Sequence, residues 1–358
     1  MIRNDILSKL FYAFLTLFGV VSLVFFLFNV LPGDPAQMMM GQNESSEQLE
    51  LVKKKYGFDL PVSKQYLLYL NDLSPISMHS KDESNLSYFS KDKYSAFPLI
   101  QNSSYVLTLK WPYLRTSYQK RGKKVSTIIA ETFSNTFVLA VASIFIAIFL
   151  GVLFGVIATL LYNTWIDRWL QFISTIGMSL PSFFSAILFS WFFGFLYHDY
   201  TGLNMSGSLY EMDDFGEGSL LQLKNLILPA VVLGIRPIAV IIQLMRSSLL
   251  EVLSQNYIKT AYSKGLSTFQ VVFKHGIKNA LNPLVTVISG WFASLLAGAV
   301  FVEYIFGWKG IGKEIVTALN TLDIPVIIGI VLTLSSLFIL INLAVDFIYA
   351  QLDPQVKL

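Results

Sequence analysis

The chain of 358 residues contains no cysteine and only three histidines. Without cysteine, neither disulfides nor thiolate metal sites nor cysteine nucleophiles are available. The histidines stand alone at His79, His198 and His275, without the ligand spacing of a metal site. The sequence also lacks a G-x-x-x-x-G-K-[ST] loop, a nucleophile elbow and an H-E-x-x-H pair. We therefore expect no catalytic residue, no metal, no cofactor and no ATP hydrolysis by the chain itself, and we do not expect an enzyme.

Charged residues are also scarce. Asp, Glu, Lys and Arg make up 14% of the chain, whereas hydrophobic residues reach 54% and aromatic residues 15%. With a mean hydropathy of +0.58, this composition excludes an ordinary soluble globular protein. It predicts an integral membrane protein.

Six apolar stretches are long enough to cross a bilayer, which takes roughly 20 residues of helix. They predict transmembrane helices at residues 10–31, 133–162, 169–197, 225–245, 280–306 and 325–349. The expected fold class is an all-α polytopic membrane protein with six transmembrane helices and a large loop, 32–132, after the first. The stretch at 10–31 is too long for a cleavable signal peptide, and no small-residue cleavage site follows it.

Charge is distributed unevenly between the two sides of these helices. An even number of spans places both termini on one side, and nine basic residues of the termini and short loops fall on that side: Arg3, Lys9, Arg168, Arg246, Lys259, Lys264, Lys274, Lys278 and Lys357. The 32–132 segment is too long for the charge rule to apply to its own Lys and Arg. The loop at 198–218 has no Lys or Arg and carries Asp199, Glu211, Asp213, Asp214 and Glu217. The positive-inside rule therefore predicts that both termini and the 251–279 loop are cytoplasmic, and that 32–132 lies outside.

The 251–279 loop combines two amphipathic patterns. From residue 251 to 264, apolar residues recur at helical spacing: Leu253, Tyr257, Ile258, Ala261 and Tyr262. Gly265 suits the positive φ of a helix C-terminus, and Ser267 with Gln270 matches a capping box. A second helix, ending near Pro283, shows an apolar stripe of Phe269, Val272, Phe273, Gly276 and Ile277. The pattern predicts two surface helices joined at a glycine, with small Ala261 and Gly265 allowing another protein to approach the backbone closely.

At these residues the sequence resembles the EAA loop of ABC importer permeases, most closely the Y-x-x-T-A-x-x-K-G-L form of the peptide permeases. Lys259, Thr260 and Ala261 occupy the places of the generic Glu-Ala-Ala, a departure that is usual in the peptide-type subgroup. In the family, this loop forms the coupling helix that docks into a groove of the ATP-hydrolysing subunit. The resemblance implies an ATPase-coupling role for Tyr257, Lys259, Thr260, Ala261, Lys264, Gly265, Leu266, His275 and Asn279.

The resemblance covers nearly the whole chain. Residues 32–35 and 56–66 resemble the P-G-D-P and G-L-D-x-P segments of peptide permeases, and 342–354 resembles their C-terminal N-x-x-x-D-x-x-Y-x-x-L-D-P. Residues 302–312 resemble V-E-x-x-F-x-x-P-G-L/I-G, with Lys309 in place of the usual proline, which predicts a less rigid turn. The aromatic-rich insertion at 74–111 has no recognised counterpart. Its role stays open between a lid, a contact for a binding protein and a tolerated surface excursion.

The resemblance implies a type I ABC importer permease fold and the B-type subunit of a di- or oligopeptide importer in the bacterial inner membrane. The implied partners are a second permease, two cytoplasmic ATPases that bind the ATP, and an extracytoplasmic peptide-binding protein, together with membrane lipid and without nucleic acid. A permease for nickel or another small solute is the alternative within this class. Peptide preference, and whether the second permease is a copy of this chain, stay open.

Arg236 lies near the middle of the fourth apolar stretch, where a charged side chain typically faces a cavity or a partner. We interpret it as a candidate residue of the translocation path; the alternative is a structural pairing within the bundle or an offset helix. Pro181, Pro229 and Pro237 are expected to kink their helices. Two alternatives come from other classes. The missing acid, base and metal constellations disfavour a membrane-embedded enzyme, whereas Asn-x-Ser sequons at Asn43, Asn85, Asn102 and Asn204 fit a eukaryotic receptor-like protein.

Overall fold

The computed structural model describes residues 2–30, 35–40, 45–90, 93–120, 122–212 and 218–352. Its α-helices are α1 (Ile2–Val30), α2 (Pro35–Met40), α3 (Ser46–Tyr56), α4 (Val62–Leu73), α5 (Val125–Leu160), α6 (Trp165–Ser179), α7 (Ser182–Phe189), α8 (His198–Thr201), α9 (Lys224–Ser254), α10 (Asn256–Ser263), α11 (Thr268–Val271), α12 (Ile277–Ala280), α13 (Asn282–Gly298), α14 (Val300–Phe306), α15 (Ile311–Asn320) and α16 (Ile324–Leu352). Its strands are β1 (Ile76–Ser80), β2 (Ala96–Gln101), β3 (Tyr105–Lys110), β4 (Tyr210–Met212) and β5 (Ser219–Leu221). Two π-helical turns occur at Ser190–Leu196 and Val272–Gly276.

Several residues that entered the sequence analysis lie outside the described ranges. They are Pro32, Gly33, Asp34, Asn43, Asp213, Asp214, Glu217, Asp353, Pro354 and Lys357.

Four helical segments in the described part of the chain are long and apolar enough to cross a membrane. They are Phe11–Phe28, Val125–Leu160, Lys224–Ser254 and Ile324–Val345. Two further pairs meet the same criteria but are bent, by 108° between Trp165–Ser179 and Ser182–Leu196 and by 52° between Thr268–Ala280 and Asn282–Ala297. The six predicted spans are therefore present as four continuous helices and two bent pairs.

The third predicted span, 169–197, departs most from a single helix. α6 ends at Ser179, Leu180 takes an extended conformation (φ −73°, ψ 130°), and α7 starts after Pro181. Proline disfavours a helical conformation in the residue before it and has no N–H to continue the helix. The sequence predicted a kink at Pro181, whereas the structure has a complete break between two helices. Pro229 and Pro237, by contrast, both lie inside the uninterrupted helix α9.

The chain divides into two compact units. The N-terminal unit comprises Ile6–Glu131 and Ile315–Ser335, and the core unit comprises Met1–Asp5, Thr132–Glu314 and Ser336–Leu358. The apolar core of the N-terminal unit joins α1, α4 and the beginning of α16. Its buried residues are Val21, Val24, Phe25, Tyr69, Ile328 and Leu332.

The insertion at 74–111 folds as a three-stranded antiparallel sheet in the order β1-β3-β2. Ser77 and His79 of β1 are buried, whereas the alternating Ile76 and Met78 are exposed. The helical membrane fold is confirmed, and this small sheet and the β4–β5 hairpin are additions to it that the sequence did not predict. The sequence predicted neither the β2–β3 hairpin nor the pairing of β1 with β3, and only the second joins strands about thirty residues apart, which local patterns do not reveal.

In the core unit, α5 packs closely against α9 through two glycines. A Cβ atom on Gly151 would lie 2.6 Å from a side-chain atom of Ile241, and one on Gly155 would lie 2.6 Å from Met245. Small residues at helix interfaces are typical of membrane proteins, because helices there associate through close packing. The apolar contact therefore runs along α9 as far as Leu249.

The turn at 307–312 lies within the segment 302–312, which resembles V-E-x-x-F-x-x-P-G-L/I-G. The Glu303 side chain is fully buried, and its Oε2 accepts hydrogen bonds from the backbone N–H groups of Gly312 (2.6 Å) and Lys313 (3.3 Å), at the start of α15. The Lys309 N–H donates to Ser208 Oγ at 3.1 Å, and its carbonyl accepts from Asn135 Nδ2 at 2.8 Å. The turn is thus held on both sides by side chains, and a proline at position 309 could not donate the first of these bonds. The lower rigidity expected from Lys309 stays a prediction.

Candidate functional site

The first helix of the 251–279 loop is shorter than predicted. Residues 251–254 belong to α9, which ends at Ser254; Gln255 is extended (φ −71°, ψ 152°), and α10 begins at Asn256. The sequence predicted that this helix begins at Glu251 and that the fourth span ends near Met245. No glycine or proline interrupts the chain between these residues, so α9 continues through them.

The inward face of α10 packs on the second part of the loop. Ile258 and Ala261 are buried together with Val271, and Leu266 contacts this cluster. Ala261 is therefore covered by the chain's own residues. The expectation that it would let another protein approach the backbone is corrected, and only Gly265 keeps that property.

The junction between the two helices is a Schellman motif centred on Gly265. Gly265 has φ +81°, its N–H donates to the Tyr262 carbonyl (2.9 Å), and the N–H of Leu266 donates to the Ala261 carbonyl (3.4 Å). Glycine adopts positive φ without the steric penalty of a side chain. A Cβ atom built on Gly265 would meet no atom within 4 Å. The backbone here is accessible to another protein, as the sequence predicted.

The second helix starts with the predicted capping box. Ser267 Oγ accepts from the Gln270 N–H at 3.4 Å, and Gln270 Oε1 accepts from the Ser267 N–H at 3.0 Å. These two bonds satisfy donors that would otherwise lack partners at the helix start. The Schellman motif and the capping box together set the angle between the two helices with purely local bonds.

The second helix is anchored on α9. Val272 and Ala280 are buried in one cluster with Met245 and Leu249. A Cβ atom on Gly276 would lie 2.9 Å from Leu249 Cδ1, so the glycine allows this close contact. The contacts of the second helix therefore extend along the C-terminal part of α9.

The predicted apolar stripe of the second helix is divided between two faces. Val272 and Gly276 face inward, but Phe269 and Phe273 are 68% and 50% exposed, and their ring centroids lie 4.3 Å apart. The turn at Val272–Gly276 is π-helical, and its wider turn changes the direction in which successive side chains point. The exposed aromatic pair belongs to the outer surface of the loop, which the helical periodicity in the sequence did not reveal.

The nine residues singled out from the sequence have different places in this structure. Five are exposed and form the outer face of the loop: Tyr257, Lys259, Thr260, Lys264 and Gly265. Ala261 and Leu266 hold the two helices together, and His275 is half-buried in the π-helical turn. Asn279 is exposed and donates from Nδ2 to the Tyr257 hydroxyl at 2.9 Å, which joins the end of the loop to its beginning.

The outer face is basic. Lys259, Lys264, Lys274 and Lys278 are all exposed, and none of them forms an ion pair with another residue of the described ranges. The only acidic residue between 251 and 279 is Glu251 at the end of α9. The charge of the loop is therefore available to a partner surface of opposite sign.

A bidentate ion pair fixes the base of the loop. Arg246 of α9 donates from Nε and a terminal nitrogen to the two carboxylate oxygens of Asp167, at 2.7 and 2.8 Å. The Asp167 side chain is buried, and the guanidinium lies 5.1 Å from the Tyr162 ring centroid. From the sequence, Arg246 was predicted only to be one of the basic residues on the cytoplasmic side. No local pattern could pair it with a carboxylate 79 residues away.

Arg236 lies on an exposed face of α9, in the core unit. Its Nε donates to the Leu180 carbonyl at 3.3 Å, at the break between α6 and α7, and the side chain borders a cavity of about 60 Å³. Within the described ranges it has no acidic partner. This bond satisfies a carbonyl left open by the break, and the assignment of Arg236 to the translocation path stays a prediction.

Comparison with known proteins connects this geometry to a family. Residues 151–358 match the family described as "Binding-protein-dependent transport system inner membrane component", and residues 1–86 match the N-terminal part, "Binding-prot-dependent transport system membrane comp, N-term". This chain belongs to that family. It is a multi-pass membrane protein and a permease component of a transport system.

Curated relatives of this permease align over nearly their full length. It is 31% identical over 354 residues to the dipeptide transport system permease protein DppB of Alkalihalophilus pseudofirmus, covering 95% of both chains. It is 33% identical to the di/tripeptide transport system permease protein DppB of Pseudomonas aeruginosa, covering 96% of this chain and 95% of that one. The glutathione transport system permease protein GsiC of Escherichia coli is 32% identical, with 99% of both chains covered.

Among solved structures, the inward-facing MetNI methionine ABC transporter is similar, with 17% identity and a TM-score of 0.49. The match covers 64% of this chain and 97% of that one.

Proposed function

We propose that this permease is the membrane-spanning B-type subunit of an ATP-driven importer of di- and oligopeptides. The observation that carries the proposal is the outer face of the 251–279 loop. It presents Tyr257, Lys259 and Thr260 on α10, and Lys264 and Gly265 in the hydrogen-bonded turn that follows it. The relatives named for dipeptide, di/tripeptide and glutathione transport support the peptide class.

In this proposal the loop docks into a groove of a cytoplasmic ATPase, and two such ATPases bind the ATP. The chain itself holds no cofactor and catalyses no reaction. A second, related permease completes the path, and a peptide-binding protein delivers the substrate from the other side. The exposed lysines of the loop predict a groove lined with carboxylates.

The contacts of the loop indicate how ATP-driven movement would reach the membrane. α11 and α12 are seated on α9, and α9 is joined to α6 by the Arg246–Asp167 pair. Closure of the ATPases would therefore move α9 and its attached helices as one body. Such a movement of packed helices around a path is the usual basis of alternating access.

We further propose that both termini and the 251–279 loop are cytoplasmic and that the 32–132 segment lies on the other side. The charge distribution supports this orientation. Because the chain contains no cysteine, single cysteines at Ser263 and Ser84, both exposed, give a direct measurement with a membrane-impermeant maleimide. In intact cells without an outer membrane, only the cysteine at position 84 is expected to react.

The decisive experiment for the coupling role uses Gly265→Asp. The tagged chain is purified in mild detergent, the associated subunits are identified by mass spectrometry, and peptide uptake is measured. We expect the wild-type chain to retain a second permease and a P-loop ATPase. Gly265→Asp should remain in the membrane but lose the ATPase and uptake, because it places a bulky anion on the docking face.

Gly202→Asp is the matched control. Gly202 also has positive φ (+63°), and a Cβ atom there would also meet nothing within 4 Å, but it lies outside the loop. Both variants carry the same backbone strain and the same charge. If they lose the ATPase to the same extent, or if Gly265→Asp transports normally, the coupling role is excluded.

Growth of an amino-acid auxotroph on di- and oligopeptides separates the peptide proposal from the nickel alternative. Deletion of the chain should abolish growth on peptides and leave nickel-dependent enzyme activity unchanged. The opposite result would favour the nickel permease. None of the three relatives named above supports that alternative through its name.

A further inference from the structure

The N-terminal unit contains a cavity of about 450 Å³ that the transport proposal does not use. One part of its wall is apolar and belongs to two membrane-spanning helices, through Phe25 and Phe28 of α1 and Ile328 of α16. The other part is polar and includes Lys53, Tyr69, Arg115 and Tyr118. The cavity therefore has an apolar half and a cationic half.

The position of the cavity along these helices corresponds to a membrane boundary. Phe25 and Phe28 lie at the end of the apolar segment Phe11–Phe28, and Ile328 lies at the beginning of Ile324–Val345. At this depth, phospholipids change from acyl chain to headgroup. The two halves of the cavity match the two parts of such a molecule.

Among the described residues of the lining, Lys53 and Arg115 carry positive charge and none is Asp or Glu. Behind it, Arg115 Nε donates to Asp72 Oδ2 at 2.9 Å, and the Lys93 and Lys110 ammonium groups lie over the Tyr94 ring at 4.8 and 5.3 Å. Burial lowers the pKa of Lys110 to about 8, so it remains mainly protonated at neutral pH. Three cations thus surround Asp72, which leaves an excess of positive charge beside the cavity.

Asp323 is a second carboxylate near this cavity. It accepts hydrogen bonds from Ser117 Oγ, from the Tyr118 N–H at 3.0 Å and from the Gln119 N–H at 3.3 Å. Three donors from residues 117–119 therefore stabilise its negative charge, next to the start of α16.

Two features of the polar wall are unexplained by the packing of the chain. Tyr69 is only 4% exposed, yet its buried hydroxyl has no hydrogen-bond partner among the residues that the structure describes. A buried hydroxyl without a partner costs about 1 to 3 kcal/mol, so such groups usually have a ligand or a role. Arg115 has φ +65°, a conformation that is unfavourable for a residue with a side chain and is often found at binding sites.

Arg115 and Tyr69 are adjacent, because the guanidinium carbon lies 5.3 Å from the Tyr69 ring centroid. A guanidinium has five N–H donors, and the Nε–H bond to Asp72 uses one of them. Arginine forms short, bidentate bonds to phosphate oxygens, and tyrosine hydroxyls also donate to them. The polar wall thus offers the donors that a phosphodiester needs, next to apolar helices that suit acyl chains.

We propose that this cavity binds an anionic phospholipid, with the phosphodiester at Arg115 and Tyr69 and an acyl chain along Phe25, Phe28 and Ile328. The site belongs to the chain's own fold and does not depend on the substrate of the transporter. The cavity would recognise any ligand that carries a phosphate oxyanion on an apolar tail.

The test uses the full-length chain with its co-purified subunits in mild detergent, titrated with phosphatidylglycerol or phosphatidylcholine and measured by native mass spectrometry. We expect one phosphatidylglycerol to bind at least about tenfold more tightly than phosphatidylcholine. Tyr69→Phe, which removes only the unpartnered hydroxyl, should weaken phosphatidylglycerol binding about tenfold, the effect of one lost hydrogen bond to a charged group. Tyr105→Phe, an exposed tyrosine of β3 outside the cavity, is the control and should not change binding.

A purely structural role of Tyr69 makes the opposite prediction. Replacing an unpartnered buried hydroxyl by hydrogen should then leave lipid binding unchanged and leave the melting temperature equal or higher. Equal binding in wild type and Tyr69→Phe, or equal affinity for both lipids, would overturn the proposal.

Two further measurements separate other occupants from a lipid. If millimolar inorganic phosphate displaces phosphatidylglycerol completely, the site is an anion site without an apolar part and the proposal fails. A photoreactive residue at Phe28 should crosslink to lipid in membranes. Crosslinking to another protein chain instead would identify the cavity as a subunit interface and would also overturn it.

Discussion

The turns at 264–267 and at 307–312 both depend on glycine, but they do so for different reasons. Gly265 has φ +81° and open space where its Cβ would be. A Cβ atom on Gly310 would lie 2.4 Å from Glu303 Oε2 and 2.5 Å from Thr136 Oγ1. The first glycine is required by the backbone conformation and leaves an accessible surface. The second is required by packing around a buried carboxylate and leaves none.

Because of this difference, we expect the first turn to matter for docking of a partner and the second for the stability of the fold. The 264–267 turn is closed by bonds between residues at most five positions apart, so its outer side is available to a partner. The 307–312 turn is held by residues far away in the chain, since Trp308 Nε1 donates to the Asn135 carbonyl at 3.0 Å and the Ile311 N–H donates to Thr136 Oγ1 at 2.8 Å. Substitutions in the first turn should affect coupling, and those in the second should affect folding.

The largest effect is expected for Gly310→Ala. The added methyl group must displace the Glu303 carboxylate from the N–H groups of α15, so the free energy of unfolding should fall by about 3 kcal/mol. Thermal unfolding of the purified chain in detergent measures this. Gly290→Ala in α13 is the control, because a Cβ atom there meets nothing within 4 Å, and alanine in a helix should raise stability by about 0.5 to 1 kcal/mol. Equal effects of the two variants would contradict the packing account of Gly310.

A smaller effect is expected for substitutions of Gly265 that keep the surface neutral. Gly265→Ala should cost about 1 kcal/mol because alanine is disfavoured at positive φ, and Gly265→Asn should cost less because asparagine tolerates it. Both should still retain the ATPase and transport, unlike Gly265→Asp. Since Asn and Asp have the same shape, the comparison isolates the charge. Loss of the ATPase in Gly265→Asn would mean that size, rather than charge, decides docking.

The smallest effect is expected for Ser267→Ala. It removes the side-chain acceptor of the capping box at an exposed helix start, which should cost about 1 kcal/mol or less. Faster hydrogen exchange at residues 268–271, measured by mass spectrometry, is the expected signature. Ser263→Ala is the control, because Ser263 Oγ donates only to the Lys259 carbonyl of its own helix. Exchange that is equally fast in both variants would show that the capping box does not hold the turn.

The sequence predicted those features whose causes are local. The glycine hinge and the capping box of the 251–279 loop were correctly predicted, because positive φ and an S-x-x-Q spacing involve neighbouring residues. The membrane class and the family resemblance are confirmed by the described helices and the comparisons. The ATPase-coupling roles of the nine loop residues remain predictions that the experiments on Gly265 address.

The errors share one physical cause. Ala261 was expected to face a partner but packs on Val271, and Phe269 was expected in one stripe with Val272 but is exposed beside Phe273. Both depend on how the second helix sits on α9 and on its π-helical turn, which the average helical period does not describe. The break at Leu180–Pro181 was recognised as a kink, but its size depends on packing.

By itself, the sequence determined that the chain crosses a membrane, that its basic loop consists of two helices around a glycine, and that it resembles one transporter family. These follow from composition, from hydrophobic period and from bonds between near neighbours. Only the tertiary structure decided the sheet within 74–111, the enclosure of Glu303, the Arg246–Asp167 pair and the cavity beside Arg115 and Tyr69. Each of these joins residues that are distant in sequence, and the free energy that selects them exists only once the helices and strands are packed together.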